Sequence, residues 1–146
     1  SGAGLMGSIA QAAYSAAKGA IASLTLVQAA ELGRIGVTAN ALAPAARTRM
    51  TEDAFADMMA EVGEGAFDAM APENVSPLVV WLGSVESAGV TGRVFEVEGG
   101  IIGIAEGFRH GPRFDKGARW EPEEVGAVVA DLIEEAATPT PVYGAG

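Results

Sequence analysis

The sequence predicts an α/β fold, and two patterns support this expectation. Residues 11–32 have a helical pattern with few β-forming residues in runs, whereas Val37–Ala43 is a mostly apolar run bounded by Gly36 and Pro44. Such a run is typical of a strand in a parallel sheet that is covered on both faces. The 146 residues, 49% of them hydrophobic, are also enough for one domain with a packed core.

The long helix comes first among these elements. The Gly-rich residues 2–7 before it have the composition of a loop that follows a strand, and Gly33 is the expected stop after it. One apolar stripe runs along the predicted helix and consists of Ala13, Ala17, Ala20, Leu24 and Val27.

A shorter helix and a second strand complete the predicted elements. Residues 72–77 contain two prolines and an acidic residue, as helix starts often do, and the apolar run Leu78–Leu82 follows them. The alternating run Arg93–Val97 predicts a strand, and Gly99 and Gly100 are expected to end the sheet.

Composition excludes several classes of function. Nineteen acidic residues against nine basic ones give a net charge of −10, which argues against nucleic acid or an anionic membrane as partner. The chain has no cysteine and one histidine, so we expect neither thiol chemistry nor a bound metal. No apolar run has the length of a membrane span, and no secretory leader is recognisable, so we expect a cytoplasmic protein.

Tyr14 and Lys18 are the candidate acid/base pair. Four residues apart on a helix, they lie one above the other on the same face. A fixed positive charge favours the phenolate form of a nearby tyrosine, which suits it for proton exchange with a substrate. Such spacings also arise by chance on solvated helix faces, so the pair taken alone leaves both interpretations open.

Further motifs in the right order make the sequence resemble the short-chain dehydrogenase/reductase family. Ser1 stands thirteen residues before Tyr14, as the family's catalytic serine does. The run Asn40–Pro44 is similar to the strand end that lies under the nicotinamide ring. The family's last helix, turn and final strand are matched by Glu73–Val75, Thr91-Gly92 and Val97–Gly100.

The resemblance implies the C-terminal half of a doubly wound, Rossmann-like parallel-sheet domain. The Gly-rich phosphate turn that opens such a domain has no counterpart in this sequence, so the N-terminal cofactor half is absent. We expect residues 1–100 to form the catalytic half and residues 101–146 to form a C-terminal helical extension that packs on the same domain.

The resemblance also implies hydride transfer between NAD or NADP and a secondary alcohol or ketone. Tyr14 is then the proton donor or acceptor, Lys18 supports it and holds the nicotinamide ribose, and Ser1 bonds to the substrate oxygen. The family's additional catalytic asparagine lies upstream, and Asn40 does not replace it. The expected cofactor-binding residues beyond Tyr14 and Lys18 are Pro44, Ala45, Ala46, Arg47 and Thr48.

One departure from the family pattern narrows the expected substrate. Ala45 replaces the usual glycine, and Thr48 follows Pro44 by four residues where five are usual. This shorter turn is similar to that in the (R)-3-hydroxyacyl-CoA dehydrogenase domains of peroxisomal multifunctional enzyme type 2 and their bacterial relatives. An acyl-CoA substrate is therefore expected, with an adaptable apolar wall formed by Met50, Phe55, Met58 and Met59. These four are equally compatible with ordinary core residues of short helices.

Partners and the alternative function follow from the same reasoning. Small residues on the long helix permit close packing, either against a partner subunit in a homodimer or homotetramer or against the sheet. The basic segment 109–119 could meet the phosphates of coenzyme A or pair with surface acids. Without the cofactor half, the chain could also be a catalytically incompetent C-terminal fragment that acts as an assembly module.

Overall fold

The structure is a computed structural model that describes residues 1–48, 63 and 65–144. It divides into two compact units, Ser1–Glu106 with Val142–Gly146, and Gly107–Pro141. The first unit contains helices and a sheet, and the predicted α/β class is confirmed. The expected division after residue 100 into a catalytic half and an extension stays a prediction.

Two consecutive helices open the first unit. The predicted loop at residues 2–7 contains a short helix, α1 (Gly2–Met6), and the predicted long helix is α2 (Ala12–Leu32). A 3-10 turn over Gly33–Ile35 follows α2, and Gly36, at φ 77°, ends it in the left-handed conformation. The α-helix therefore ends at Leu32 with Gly33 as its C-cap residue, as predicted, and the chain reverses direction three residues later at Gly36, which has the backbone freedom that this reversal needs.

Within the described residues the strands form one sheet in the order β1-β2-β3. β1 (Ala41–Ala45) pairs in parallel with β2 (Val94–Glu98), and Ala41 stands opposite Val94. β1 starts later than predicted because Ala39 is held in hydrogen bonds with the turn before β2: its N–H donates to Thr91 Oγ1 at 3.1 Å, and its carbonyl accepts from Gly92 N at 2.8 Å.

The sheet continues past its predicted end. Gly99, at φ 53°, and Gly100 form a two-residue turn into β3 (Ile101–Ile104), which pairs with β2 in antiparallel orientation. Glycine suits this turn because tight hairpins need positive φ values. Residues 101–104 therefore belong to the sheet, which their short apolar run did not indicate.

The core lies between the sheet and the last helix of the first unit. A 3-10 turn over Pro72–Val75 leads into α3 (Ser76–Leu82), and another spans Val85–Ser87. Leu78 of α3 is buried with Phe95 and Val97 of β2. The inward Phe95 and Val97 alternate with the less buried Glu96, as the period of a strand requires.

The second unit contains α4 (Pro122–Glu135). Its N-terminus has a capping box, in which the Glu121 side chain accepts from the backbone of the third helical residue and Glu124 accepts from the Glu121 N–H at 3.0 Å. Lys116 forms an ion pair with Glu124, and its ammonium lies 5.2 Å from the Trp120 ring centroid. Lys116, in the basic segment, thus pairs with an acid of its own unit.

Candidate active site

A cavity of about 220 Å³ lies among α1, α2 and β1. Three predicted polar residues, Ser1, Tyr14 and Lys18, line it together with the predicted strand-end residue Pro44. The remaining lining is almost entirely apolar and consists of Leu5, Ile21, Ala22, Ala41, Leu42, Ala43 and Val94. A few convergent polar groups in an apolar cavity are the usual composition of a small-molecule site.

Tyr14 and Lys18 both line this cavity. Both belong to α2, one turn apart, and the Lys18 Nζ lies 5.5 Å from the centroid of the Tyr14 ring. At this distance the ammonium is within the range of a cation–π contact with the ring. Tyr14 is 46% exposed, so its side chain is open to a ligand.

Ser1 reaches the same cavity from α1. It is the N-cap residue of that helix, and its side chain is half-buried.

A glycine contact fixes the distance between α1 and α2. A Cβ atom on Gly4 would lie 2.5 Å from Lys18 Cβ, 2.6 Å from the Lys18 carbonyl carbon and 2.7 Å from Gly19 N. Two of these three atoms belong to the backbone, so no rotation of a side chain could relieve the overlap. Gly4 therefore lets the segment that carries Ser1 pack directly on the helix turn that carries Lys18.

The other predicted cofactor residues continue past Pro44 along the chain. Ala45 is the last residue of β1 and is exposed, Ala46 and Arg47 are half-buried, and Thr48 is exposed. The cavity lining ends at Pro44. The structure thus brings Ser1, Tyr14, Lys18 and Pro44 together, with Ala45–Thr48 following directly at the end of β1.

Arg47 makes a two-pronged ion pair with Asp68. The Arg47 Nη1 and Nη2 atoms donate to the two carboxylate oxygens of Asp68 at 2.7 and 2.9 Å, and the Arg47 N–H donates to the Met70 carbonyl at 2.7 Å. The hydrogen bond from Arg47 holds the pKa of the Asp68 carboxyl below its usual value, and the Met70 N–H adds to this effect at 3.0 Å. The segment after β1 is therefore tied to residues 68–70.

The Asn40 side chain forms hydrogen bonds with the backbone of the segment before β2. Its Nδ2 donates to the Val90 carbonyl at 2.8 Å, and its Oδ1 accepts from the Arg93 N–H at 3.1 Å. Both partners flank the Thr91-Gly92 turn that precedes β2. The amide group of Asn40 thus holds β1 beside β2. Asn40 directly precedes β1 and therefore lies at the amino end of the strand.

The residues expected to contact the acyl chain, Met50, Phe55, Met58 and Met59, lie outside the described residues. Within residues 1–48, 63 and 65–144, no three histidine or acidic side chains cluster as metal ligands. Across the same part of the chain, no helix combines the length and apolar character needed to cross a membrane.

The residues of the cavity fit the nicotinamide end of a dinucleotide. Lys18 and Tyr14 offer polar groups for a ribose, while Pro44 and the alanines of β1 offer an apolar surface for a flat ring. The volume of about 220 Å³ is below the ~300–1,000 Å³ of pockets for drug-sized ligands, so the cavity could take only a part of a dinucleotide.

Sequence reasoning missed Gly4 and Asp68. Gly4 stands in the Gly-rich run that we interpreted as a loop, and a helical periodicity over only five residues gives too weak a signal. Asp68 lies twenty-one residues beyond Arg47, and no local pattern links an arginine to an acid at that separation.

The comparisons with known proteins agree with these motifs. The sequence profile of the family described as enoyl-(acyl carrier protein) reductase, one of the short-chain dehydrogenases, matches residues 1–102. Hydroxyacyl-CoA dehydrogenase ChsB1 of Mycobacterium tuberculosis is 42% identical over 90% of this chain, which spans 41% of that protein. Peroxisomal multifunctional enzyme type 2 of Mus musculus is 40% identical over 70% of this chain and is matched over 13% of its own length.

A solved structure gives the same result for the fold. A short-chain dehydrogenase from Mycobacterium avium superposes with a TM-score of 0.83 and 62% identity, over 99% of this chain and 45% of that one. This chain therefore corresponds to less than half the length of these two mycobacterial proteins, and the expected partial Rossmann-like domain is confirmed. The sequence and the fold together assign the chain to the short-chain dehydrogenase/reductase family of oxidoreductases.

Proposed function

We propose that the complete protein carrying this chain transfers a hydride between NAD or NADP and the hydroxyl or keto carbon of a 3-hydroxyacyl-CoA thioester. The observation that carries this proposal is the cavity shared by Ser1, Tyr14 and Lys18, with the Lys18 ammonium 5.5 Å from the Tyr14 ring centroid. A phenol beside a fixed cation, with a second hydroxyl near it, has the groups needed for proton exchange with an alcohol.

Tyr14 is the proposed acid/base residue. During oxidation its phenolate takes the proton of the substrate hydroxyl, and during reduction its phenol returns a proton to the carbonyl oxygen. Lys18 stabilises the phenolate through its charge. Ser1 donates a hydrogen bond to the same substrate oxygen, where negative charge develops as the proton leaves.

The nicotinamide cofactor supplies the hydride acceptor or donor when it is bound. In this proposal Lys18 and Tyr14 would hold its ribose, and Pro44 would lie against the ring. The backbone near Ala46 and Arg47, with the Thr48 hydroxyl, would bind the carboxamide. The support for this last assignment is the position of these residues directly after β1, since ligands of parallel sheets bind beyond the carboxyl ends of the strands.

The proposed thioester substrate is supported by relatives and by one sequence feature. ChsB1 is described as a hydroxyacyl-CoA dehydrogenase and is 42% identical to this chain. The turn from Pro44 to Thr48 has the shortened form that first indicated this group. Met50, Phe55, Met58 and Met59 remain the proposed wall for the acyl chain. These similarities favour a dehydrogenase over the alternative of a non-catalytic assembly module.

The test is a substrate panel with the complete protein. We expect (R)-3-hydroxyacyl-CoA thioesters to give a higher kcat/KM than steroid alcohols, sugars or acyl-carrier-protein thioesters, with NAD and NADP tried for each and the reduced cofactor followed by its absorbance. Tyr14→Phe protein, purified in the same way, controls for contaminating dehydrogenases. A steroid, sugar or carrier-protein substrate at the top of the ranking would reject the thioester assignment.

We propose a homodimer or homotetramer as the assembly. The support is an apolar surface on α2, where Leu24 and Val27 are 54% and 49% exposed in this chain. Leu24 and Val27, both from the predicted apolar stripe, lie on this exposed side, because α2 turns Ser15, Lys18, Ala22 and Thr25 towards the rest of the unit. Light scattering on the complete protein should give a mass of two or four chains, and a monomer mass would contradict the proposal.

A further inference from the structure

The C-terminal segment Val142–Gly144, called the tail below, returns to the first unit and binds beside the site. The Tyr143 N–H donates to the Gly7 carbonyl at 3.1 Å, and the Ile9 N–H donates to the Tyr143 carbonyl at 3.0 Å. These two bonds form a parallel bridge between Ser8 and Tyr143. The tail is thereby fixed to the connection between α1 and α2.

Side chains of the tail occupy space that two glycines leave open on α1. A Cβ atom on Gly2 would lie 2.8 Å from Tyr143 Oη and 3.1 Å from Tyr143 Cε2. A Cβ atom on Gly7 would lie 3.0 Å from Val142 Cγ1. The tail therefore contacts both ends of α1, and the Tyr143 ring covers the residue next to Ser1.

The helix α1 is held from two sides. Residues two apart in a helix point in nearly opposite directions, because each residue turns the chain by about 100°. Gly2 faces the Tyr143 ring, whereas Gly4 packs on Lys18 and Gly19 of α2. A shift of the Tyr143 ring would thus change the packing at Gly2, the residue next to Ser1, without changing the Gly4 contact.

We propose that Tyr143 is a positioning residue for Ser1. Its side chain fills the space where Gly2 lacks a Cβ atom, and so sets the place of the Ser1 hydroxyl in the cavity that also contains Tyr14 and Lys18. The proposal rests on the proposed function, in which Ser1 bonds to the substrate oxygen. Tyr143 itself acts through Gly2 and Ser1 and takes no part in proton transfer.

The first test is the loss of the ring. Tyr143→Ala keeps the backbone bonds of the tail, and we expect it to lower kcat by about tenfold or more, since a displacement of roughly 1 Å in a catalytic group can cost a hundredfold. The KM for the cofactor should change little, because Tyr14 and Lys18 stay on α2. Tyr143→Phe, which retains the ring, should recover most of the lost kcat. Phe108→Ala, the loss of a fully exposed aromatic ring, is the matched control.

The second test separates positioning from general stability. In a Ser1→Ala background, Tyr143→Ala should produce no further fall in kcat, because the group it positions is gone. Gly2→Ala should lower kcat in the wild-type background and have less effect together with Tyr143→Ala, since the ring it collides with has been removed. Equal effects of Tyr143→Ala with and without the Ser1 hydroxyl would overturn the proposal.

These variants also separate this proposal from the proposed function. If Ser1→Ala lowers kcat while Tyr143→Ala retains it, only the positioning role of Tyr143 fails. If Ser1→Ala retains the wild-type kcat, the assignment of Ser1 in the proposed function fails, and the positioning role fails with it. Thermal unfolding of each variant, measured with the kinetics, shows whether a loss of kcat follows from partial unfolding at the assay temperature.

Discussion

Arg47 and Asp68 are joined by two parallel hydrogen bonds, of 2.7 and 2.9 Å, across twenty intervening residues. Their side chains are 12% and 25% exposed, so the pair lies largely out of water. Because Arg47 directly precedes Thr48, this ion pair fixes the position of the segment that follows β1. It thus orients the segment to which we assign the carboxamide of the cofactor.

The Arg47–Asp68 ion pair makes the free energy of unfolding depend on pH. Since the folded-state pKa of Asp68 is lowered, its contribution to the free energy of unfolding is complete above the unfolded pKa of about 3.9 and disappears as the pH falls through the lower folded-state pKa. Urea unfolding of wild type and Asp68→Asn should therefore differ near neutral pH and converge in acid. A difference that persists unchanged below both pKa values would show that the charge of Asp68 is not responsible.

Replacement of Tyr14 by phenylalanine tests the proposed chemistry. Tyr14→Phe removes one hydroxyl and preserves the ring beside Lys18, so we expect kcat to fall by at least a hundredfold, within the ~10²–10⁴ typical of an acid/base group. Cofactor affinity, measured by the fluorescence of the reduced cofactor, should stay within a few fold of wild type. Turnover close to that of wild type would show that another group moves the proton.

The helix contact at Gly4 gives a test with an internal control. Gly4→Ala forces a methyl group to within 2.5 Å of Lys18 Cβ, and we expect a loss of about 1–3 kcal/mol of stability together with a loss of activity. Gly33→Ala, at a right-handed helical position with no atom within 4 Å, should gain about 0.4–1 kcal/mol. Equal effects of the two substitutions on the unfolding midpoint would contradict the packing geometry.

Asn40 should be needed for the pairing of β1 with β2. Asn40→Ala leaves the Val90 carbonyl and the Arg93 N–H without their side-chain partner. Since the first bond is partly buried and the second exposed, we expect a loss of about 0.5–1.5 kcal/mol of stability for each. Hydrogen exchange should become faster in residues 90–94 of this variant. Unchanged exchange in that segment would mean that the turn is held by its other bonds.

Part of the fold could be predicted because its signals are local. The helix from Ala12 to Leu32 and the strand alternation at Phe95 and Val97 depend on residues close in sequence. The sequence did not predict where β1 starts, because hydrogen bonds from Ala39 to a turn some fifty residues away determine that position. It did not predict β3 either, because β3 forms only by pairing with β2. Such partners leave no periodicity in the segment itself.

The sequence by itself determined the family and the two residues of α2 that we expect to exchange protons. Tyr14 and Lys18 are one helical turn apart, and helical geometry brings them together wherever the helix packs. Only the tertiary structure decided which distant groups surround them. The Gly4 contact, the Arg47–Asp68 pair and the Tyr143 ring on Gly2 each join residues that are far apart in the chain, and such contacts are selected by packing, which no local pattern encodes.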